Sequence, residues 1–444
     1  MKHTYSNKAV WKIAAPMILS SVSIPLLGIV DTAVMGHLDG AWYLASVAAG
    51  TIVFNILFMG LNFLRMGTTG IAAQAFGAGD EREITACLLQ PLVIAVILIV
   101  AMLALRNPIM ELALVLLGPS DIVASFSRVY YDIRIWSAPA ILINLVILGW
   151  LLGMQNARGP LAMVLIVNLS NIVLDIWFVL GLGMNVRGVA IASVIAEYAG
   201  LAVGIWLIWR YFQTHSFCWP DNTLLRPDRY KRLFMINSSL FLRSAALMFT
   251  FAFITAQGAR LGDAILAANA VLMNFLYFFA YATDGLANAA EALTGKAAGA
   301  RDRKGLESAV RITLFWTVLF TGGFTLLYGG VGKAIIYLLT DIHEVRELAI
   351  NYLPWLVALP AAAAICFLYD GVYIGTTRSR EMMIVMVSSV GCVFLPTWFL
   401  LRETGNHALW AALLAFMAAR SIGMHVWYRH MLRDGRLISP AATH

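Results

Sequence analysis

Ionisable side chains lie inside long apolar stretches of this sequence. The acids are Asp31, Asp175, Glu197, Asp284, Glu291 and Asp370, and the bases are Arg243 and Arg420. An ionised group in apolar surroundings costs at least a few kcal/mol, so each acid is a candidate for holding a proton or a cation. The alternative for any one of them is a structural ion pair, or a position from which it reaches water.

Three polar side chains of the first half are predicted to lie at a similar depth. At 1.5 Å of rise per residue, Asp31 lies about 7 Å inside its apolar segment, Asp175 about 11 Å and Ser193 about 9 Å. Asn171 lies one helical turn from Asp175 on the same face, and Glu197 one turn from Ser193. These five residues predict a polar pocket between helices.

Such a pocket suits either of two coupling ions. Two carboxylates in apolar surroundings repel each other and lose hydration, and both effects favour a proton on at least one of them. A Na⁺ ion would instead favour two ionised carboxylates, Asp31 and Asp175, with Asn171 and Ser193 completing an oxygen shell. The residues leave H⁺ and Na⁺ both open.

The first apolar segment also contains Pro16 and Pro25. Proline removes a backbone hydrogen bond and kinks a helix. We expect the protonation state of Asp31 to bias straight and bent forms of this helix, with a fixed packing kink as the alternative.

The acids of the second half have different surroundings. Asp284 and Glu291 are seven residues apart and share a helix face, and Arg243 on the preceding segment could neutralise one of them. We expect a structural ion pair near the cytoplasmic side rather than a second coupling site. Asp370 lies deep in its segment without an obvious partner.

The elements that position these residues are membrane-spanning helices. The chain is 61% hydrophobic and 12% charged, and a spanning helix needs about 20 mainly apolar residues. Hydropathy predicts an all-α membrane protein with twelve transmembrane helices, at residues 10–35, 43–70, 86–106, 130–154, 160–183, 187–210, 233–257, 264–291, 306–329, 347–374, 380–401 and 406–429.

The sequence repeats itself at half its length. "HLDGAWYLASVAAG" from His37 matches "RLGDAILAANAVLM" from Arg260, and "GWLLGMQNAR" from Gly149 matches "GVYIGTTRSR" from Gly371, at an offset of about 222 residues. We therefore expect two six-helix repeats related by a pseudo-two-fold axis along the membrane normal. The predicted parts are an N-lobe (1–210), a linker (211–232), a C-lobe (233–430) and a tail (431–444). Basic residues concentrate on one side, which places both termini in the cytoplasm.

The motifs that the sequence lacks limit what could power transport. The sequence has no Walker A motif, dinucleotide fingerprint or HExxH motif, which argues against an ATP-driven pump or a metalloprotease. Its four cysteines form no CxxC pair, so we expect neither a metal site nor a structural disulfide. Transport would then draw on an ion gradient.

Several stretches resemble one transporter family. "NLSNIVLDIWFVLGLGMNVRGVAIAS" from Asn168, "PLLGIVDTAVMGHL" from Pro25 and the paired loops "GAGDERE" and "GARDRKG" are similar to the multidrug and toxic compound extrusion (MATE) transporters. "DGLANAAEALTGKAAGARD" from Asp284 and "LYDGVYIGTTRS" from Leu368 resemble the DinF branch of that family.

The resemblance implies a cation-coupled antiporter that extrudes organic, often cationic amphiphiles by alternating access, with H⁺ ahead of Na⁺ as the coupling ion. Family coupling residues fall on Asp31, Asn171, Asp175 and Ser193, where relatives can carry Thr, and a bending proline falls on Pro16. Another branch uses acids of the C-terminal lobe, which leaves the role of Asp284, Glu291 and Asp370 open.

Two rival functions remain. A lipid-linked oligosaccharide flippase of the same superfamily would need cationic residues for a pyrophosphate, whereas the pocket of the first half is acidic. A receptor or channel would not need the half-chain repeat. We expect no enzyme activity, no cofactor and no nucleic-acid partner. The expected partners are small organic substrates and the lipid bilayer, for a monomeric, multi-pass protein of a bacterial inner membrane.

Overall fold

The protein is helical through almost all of its described length. The computed structural model describes residues 5–36, 41–215, 217 and 227–438, apart from the side chains of Met59 and of several residues between 26 and 41. Helices satisfy every backbone hydrogen bond within one segment, as a bilayer requires. Over the described residues the chain divides into two compact units, one within Leu19–Leu233 and the other formed by Met1–Ile18 with Phe234–His444.

The first unit contains the second half of helix α1 and eight further helices. Their bounds are α1 Asn7–Gly36, α2 Ala41–Leu61, α3 Phe63–Ala78, α4 Glu81–Ala104, α5 Arg106–Leu117, α6 Asp121–Arg134, α7 Ala138–Gly153, α8 Arg158–Asp175 and α9 Asn185–Thr214. A 3₁₀ turn, Ile135–Ser137, joins α6 to α7, and a π-helical turn, Ile176–Gly181, prolongs α8.

The second unit contains the longest helices. Their bounds are α10 Pro227–Arg260, α11 Asp263–Gly299, α12 Arg303–Leu339, α13 His343–Gly375, α14 Ser379–Ser389, α15 Leu395–Leu401 and α16 Asn406–Arg433. A π-helical turn, Val390–Phe394, joins α14 to α15. Helix α13 lies at the centre and packs against α11, α12 and α16.

Eleven helical segments of the described chain are long and apolar enough to cross a membrane, from Trp42–Ala78 to Asn406–Arg433. Each overlaps one of the segments predicted by hydropathy from the second onward. Helix α1, with 30 residues, runs through the first predicted segment. No transmembrane segment was predicted between 106 and 130, and the structure has the short helix α5 and the first turns of α6 there.

The two halves share backbone features at the separation seen in the sequence. Positive φ angles occur at Gly79 and Arg301, at Gln155 and Thr377, and at Gly183 and Gly405, each pair about 222 residues apart. Aspartates cap α4 and α12 at equivalent positions, Asp80 accepting from Glu83 N at 3.0 Å and Asp302 from Gly305 N at 2.9 Å. Left-handed residues and aspartate caps mark the ends of helices. Helices therefore begin or end at equivalent positions in the two halves.

The first turns of α1 belong to the second unit. Trp11 lies edge-on to Trp316 of α12 at 5.1 Å between ring centroids, and Trp316 Nε1 donates to Asn7 Oδ1 at 3.0 Å. A Cβ atom on Gly285 of α11 would lie 2.7 Å from the Ala14 carbonyl oxygen. The boundary between the units therefore falls inside α1, between Ile18 and Leu19, and again inside α10, between Leu233 and Phe234.

Helices α11 and α13 approach backbone to backbone. A Cβ atom on Gly371 would lie 2.1 Å from the Ala287 carbonyl oxygen, and one on Gly375 would lie 2.2 Å from the Glu291 carbonyl oxygen. This close approach fixes how α13 presents the neighbouring Asp370.

Candidate functional site

A buried amide–hydroxyl pair joins α8 to α9 in the first unit. Asn171 Nδ2 donates to Ser193 Oγ at 3.0 Å, and the two residues are 2% and 5% exposed. Ser193 was predicted to lie at the level of Asp175, with Asn171 one turn from Asp175, and both were predicted to line one polar pocket. The structure brings them into direct contact.

Asp175 lies one turn beyond Asn171 and has no solvent exposure. It is the last residue of α8 before the π-helical turn Ile176–Gly181. A π turn admits one extra residue and shifts the side chains that follow, and such turns are frequent at functional sites. Asn171, Asp175 and Ser193 thus form a compact polar cluster within the apolar unit.

Glu197 is half-buried and lies one turn beyond Ser193. Asn144 of α7 donates through Nδ2 to the Glu197 backbone carbonyl at 3.1 Å and to Oε2 at 3.4 Å. Arg134, at the end of α6, is the charged group that acts on this carboxylate. Neither Asn144 nor Arg134 was predicted as a site residue, although an asparagine inside the apolar run "ILINLVIL" was an available signal.

The second half of α1 is tied to the same region. Asn168 of α8 donates through Nδ2 to Ser23 Oγ at 2.8 Å. Pro25 lies two residues further along α1 and Pro16 lies in its first half, and both are half-buried. Asp31 lies on α1, but its side chain is outside the described part of the structure, so its predicted place in the pocket stays a prediction.

The cluster offers carboxylate, hydroxyl and amide oxygens. These groups hold protons or hard cations such as Na⁺ rather than transition metals, which prefer imidazole and thiolate ligands. Among the described residues, no group of three or more His, Cys, Asp or Glu side chains is placed to hold a metal ion.

The acid of α13 is held by two guanidinium groups. Arg243 of α10 pairs with Asp370 Oδ2, and Arg420 of α16 donates through Nη2 to Oδ2 at 3.1 Å and to Oδ1 at 3.4 Å. Arg420 is 1% exposed, Asp370 6% and Arg243 8%. This Arg–Asp–Arg triad joins three helices of the second unit.

The triad corrects the predicted pairing in the second half. Arg243 was expected to neutralise Asp284 or Glu291, and Asp370 to lack an obvious partner. Sequence spacing shows only neighbours on one helix, whereas the packing of α10 and α16 around α13 brings both arginines to Asp370. Asp284 and Glu291 also differ in surroundings: Asp284 is exposed, and Glu291 is 2% exposed where α11 meets α13.

Long apolar helices with polar clusters held inside them define the class as multi-pass membrane proteins. The family model MatE matches residues 16–177 and 240–399, once in each half. The chain belongs to the MATE family of transporters.

Named relatives and a solved structure agree with this family assignment. The chain is 44% identical to DNA damage-inducible protein F of Escherichia coli K12 over 429 residues, which cover 96% of this chain and 93% of that protein. This relative confirms the DinF branch and a bacterial inner-membrane location. The chain is 22% identical to the probable multidrug resistance protein NorM of Thermotoga maritima, covering 94% and 90% of the two chains. The bent form of the Vibrio cholerae MATE transporter VcmN shares the fold, with a TM-score of 0.85, 21% identity and 98% of each chain covered.

Proposed function

We propose that this protein is a cation-coupled multidrug antiporter that extrudes organic, often cationic amphiphilic compounds by alternating access. The observation that carries the proposal is the buried cluster of Asp175, Asn171 and Ser193 in the first unit, to which we assign Asp31 and Glu197 as further members. The NorM relative, named for multidrug resistance, supports the substrate class.

The coupling ion in this proposal is H⁺, ahead of Na⁺. Asp175 has no solvent exposure, and a carboxyl group in such a place costs far less when neutral than when ionised. In the described contacts, Asn171 presents its amide nitrogen to Ser193, and Ser193 accepts that hydrogen bond with its oxygen. This bond engages one lone pair of Ser193 Oγ that a Na⁺ shell would otherwise use, which favours the proton.

The proposed topology has twelve spans in two six-helix repeats, related by a pseudo-two-fold axis along the membrane normal, with both termini in the cytoplasm. The N-lobe (1–210) and C-lobe (233–430) rock against each other, joined by the linker (211–232) and followed by the tail (431–444). The recurring left-handed residues and helix caps support the repeat. The protein works as a monomer in the bilayer.

The buried arginines do not favour the rival flippase. Arg243 and Arg420 are the cations that a pyrophosphate would need, but both are engaged by Asp370. The Arg–Asp–Arg triad suits a structural role in the C-lobe, and we place the coupling chemistry in the N-lobe.

Reconstituted protein tests the proposal. In proteoliposomes with an imposed pH gradient, an organic cation such as ethidium should move against the proton flow, and Asp175→Asn and Asp31→Asn should each reduce this movement at least tenfold. Glu344→Gln, an exposed acid on α13, is the matched control. Movement driven only by a Na⁺ gradient would change the coupling ion, and absence of gradient-driven movement in the wild type would refute the antiporter.

A further inference from the structure

The polar cluster of the first unit continues inward from Asp175 to Glu197. Asn171 lies one turn from Asp175 on α8, it bonds to Ser193 on α9, and Glu197 lies one turn beyond Ser193. Because α8 and α9 are consecutive antiparallel helices, the two carboxylates are separated by about two helical turns, about 11 Å along the helix axes. We call Asp175, Asn171, Ser193 and Glu197 the polar row.

Glu197 has partners suited to a group that changes its charge. The Asn144 amide lies 3.4 Å from Oε2, and a side-chain amide can reorient to serve either a carboxylate or a carboxylic acid. Of the charged side chains described on the helices packed against α9, Arg134 of α6 is the one that acts on Glu197. Glu197 is thus not locked into a close ion pair, unlike Asp370.

Beyond Glu197 the interface closes. A Cβ atom on Gly200 would lie 2.4 Å from Val167 Cγ2, and one on Gly204 would lie 2.8 Å from Met163 Cε. Helices α8 and α9 therefore pack closely at these two glycines. The polar row ends at Glu197, where this close packing begins.

We propose that Glu197 is a second proton acceptor, which takes up the proton released by Asp175 and holds it at the inner end of the polar row. The Asp175 carboxylic acid becomes a carboxylate and the Glu197 carboxylate becomes a carboxylic acid, so the charge of the row is unchanged. The Ser193 hydroxyl, which can accept a proton on one side and donate on the other, lies between them. This inference rests on the proposed proton-coupled function.

Glu197→Gln tests the inference, because it keeps the shape and the hydrogen bond to Asn144 while removing the titrating group. Thermal unfolding in detergent should occur at no lower temperature than in the wild type, which shows that the variant is folded. Turnover driven by a pH gradient in proteoliposomes should fall at least tenfold, and its pH profile should differ from that of the wild type by the loss of one titration step. Glu197→Asp should recover at least a third of the turnover, and Glu344→Gln should match the wild type.

The outcomes separate this inference from the function on which it rests. A Glu197→Gln variant with wild-type turnover at every pH would overturn the proposed proton transfer from Asp175 to Glu197. Loss of turnover in Asp175→Asn would still test the antiporter function. A uniform loss of turnover with an unchanged pH profile would indicate a structural role for Glu197 and would also overturn the proposed proton transfer. If the wild type shows no gradient-driven transport, the proposed function itself fails.

Discussion

Two buried acids of this protein have opposite surroundings. Asp175 lies one helical turn from Asn171, which bonds to Ser193, whereas Asp370 is held by two guanidinium groups. An acid between two arginines cannot change its protonation state without stranding two buried cations. The surroundings of Asp370 therefore suit a structural role, in line with the proposal that places ion coupling at Asp175.

Asp370→Asn should strongly destabilise the protein. The substitution keeps the side-chain shape but leaves Arg243 and Arg420 without a carboxylate, and breaking a buried ion pair from one side costs about 3–5 kcal/mol. Equilibrium unfolding in detergent measures the loss of free energy of unfolding. Asp132→Asn, at an exposed aspartate of α6, should change it by less than about 0.5 kcal/mol. Equal stability of the two variants would show that the triad is not structural.

Ser193 should be replaceable by threonine but not by alanine. Threonine keeps the hydroxyl that accepts from Asn171 Nδ2, so ethidium transport driven by a pH gradient should stay within twofold of the wild type. Alanine removes this acceptor, and the loss of a buried hydrogen-bond partner costs about 1–3 kcal/mol. Transport by Ser193→Ala should fall at least fivefold. Similar rates in the two variants would remove the hydroxyl from the coupling site.

At the scale of helices, apolar runs predicted where the spans lie, and helical spacing predicted that Asn171 and Ser193 line one polar pocket. Spacing could not predict partners from other helices. The bond between Asn144 and Glu197 depends on how α7 packs against α9, and the arginines reach Asp370 only because α10 and α16 flank α13. The π turn after Asp175 also leaves no signature in hydropathy, because its residues are as apolar as those of a regular helix.

The packing of α11 against α13 should not tolerate a larger side chain at Gly371. A methyl group there would meet the Ala287 backbone oxygen at 2.1 Å, so Gly371→Ala should force α11 and α13 apart and cost about 1–3 kcal/mol. Gly322→Ala on α12 is the matched control, since no atom lies within 4 Å of its Cβ position. There the gain in helix propensity should leave stability equal or higher. Thermal unfolding of the two variants measures the difference, and a Gly371→Ala protein as stable as the control would contradict the close packing.

At the scale of the whole molecule, the MatE family model matches once in each half, and each half buries at least one acid. The halves differ in chemistry, since Asp370 of the second half is held by two arginines, whereas a neutral pair, Asn171 and Ser193, lies one turn from Asp175 in the first half. The half-chain repeat was readable from the sequence, and the backbone recurrences agree with it.

The repeat also predicts sidedness. In a variant without its four native cysteines, Asp121→Cys and Glu344→Cys occupy the starts of equivalent helices and should react with a membrane-impermeant thiol reagent in intact spheroplasts. Arg158→Cys and Arg380→Cys, at the starts of another equivalent pair, should react only after lysis. Members of one pair on opposite sides of the membrane would contradict the proposed two-fold axis along the membrane normal.

Competition between protons and substrate is the most direct test of the central claim. Equilibrium binding of ethidium to the purified protein should weaken at least tenfold as the pH falls from about 8 to about 6, because in an antiporter protonation of the coupling acids and binding of the organic cation oppose each other. The Asp31→Asn/Asp175→Asn double variant should lose most of this pH dependence. A wild-type affinity that is independent of pH, or a double variant with the same pH dependence as the wild type, would contradict a titratable coupling site in the N-lobe.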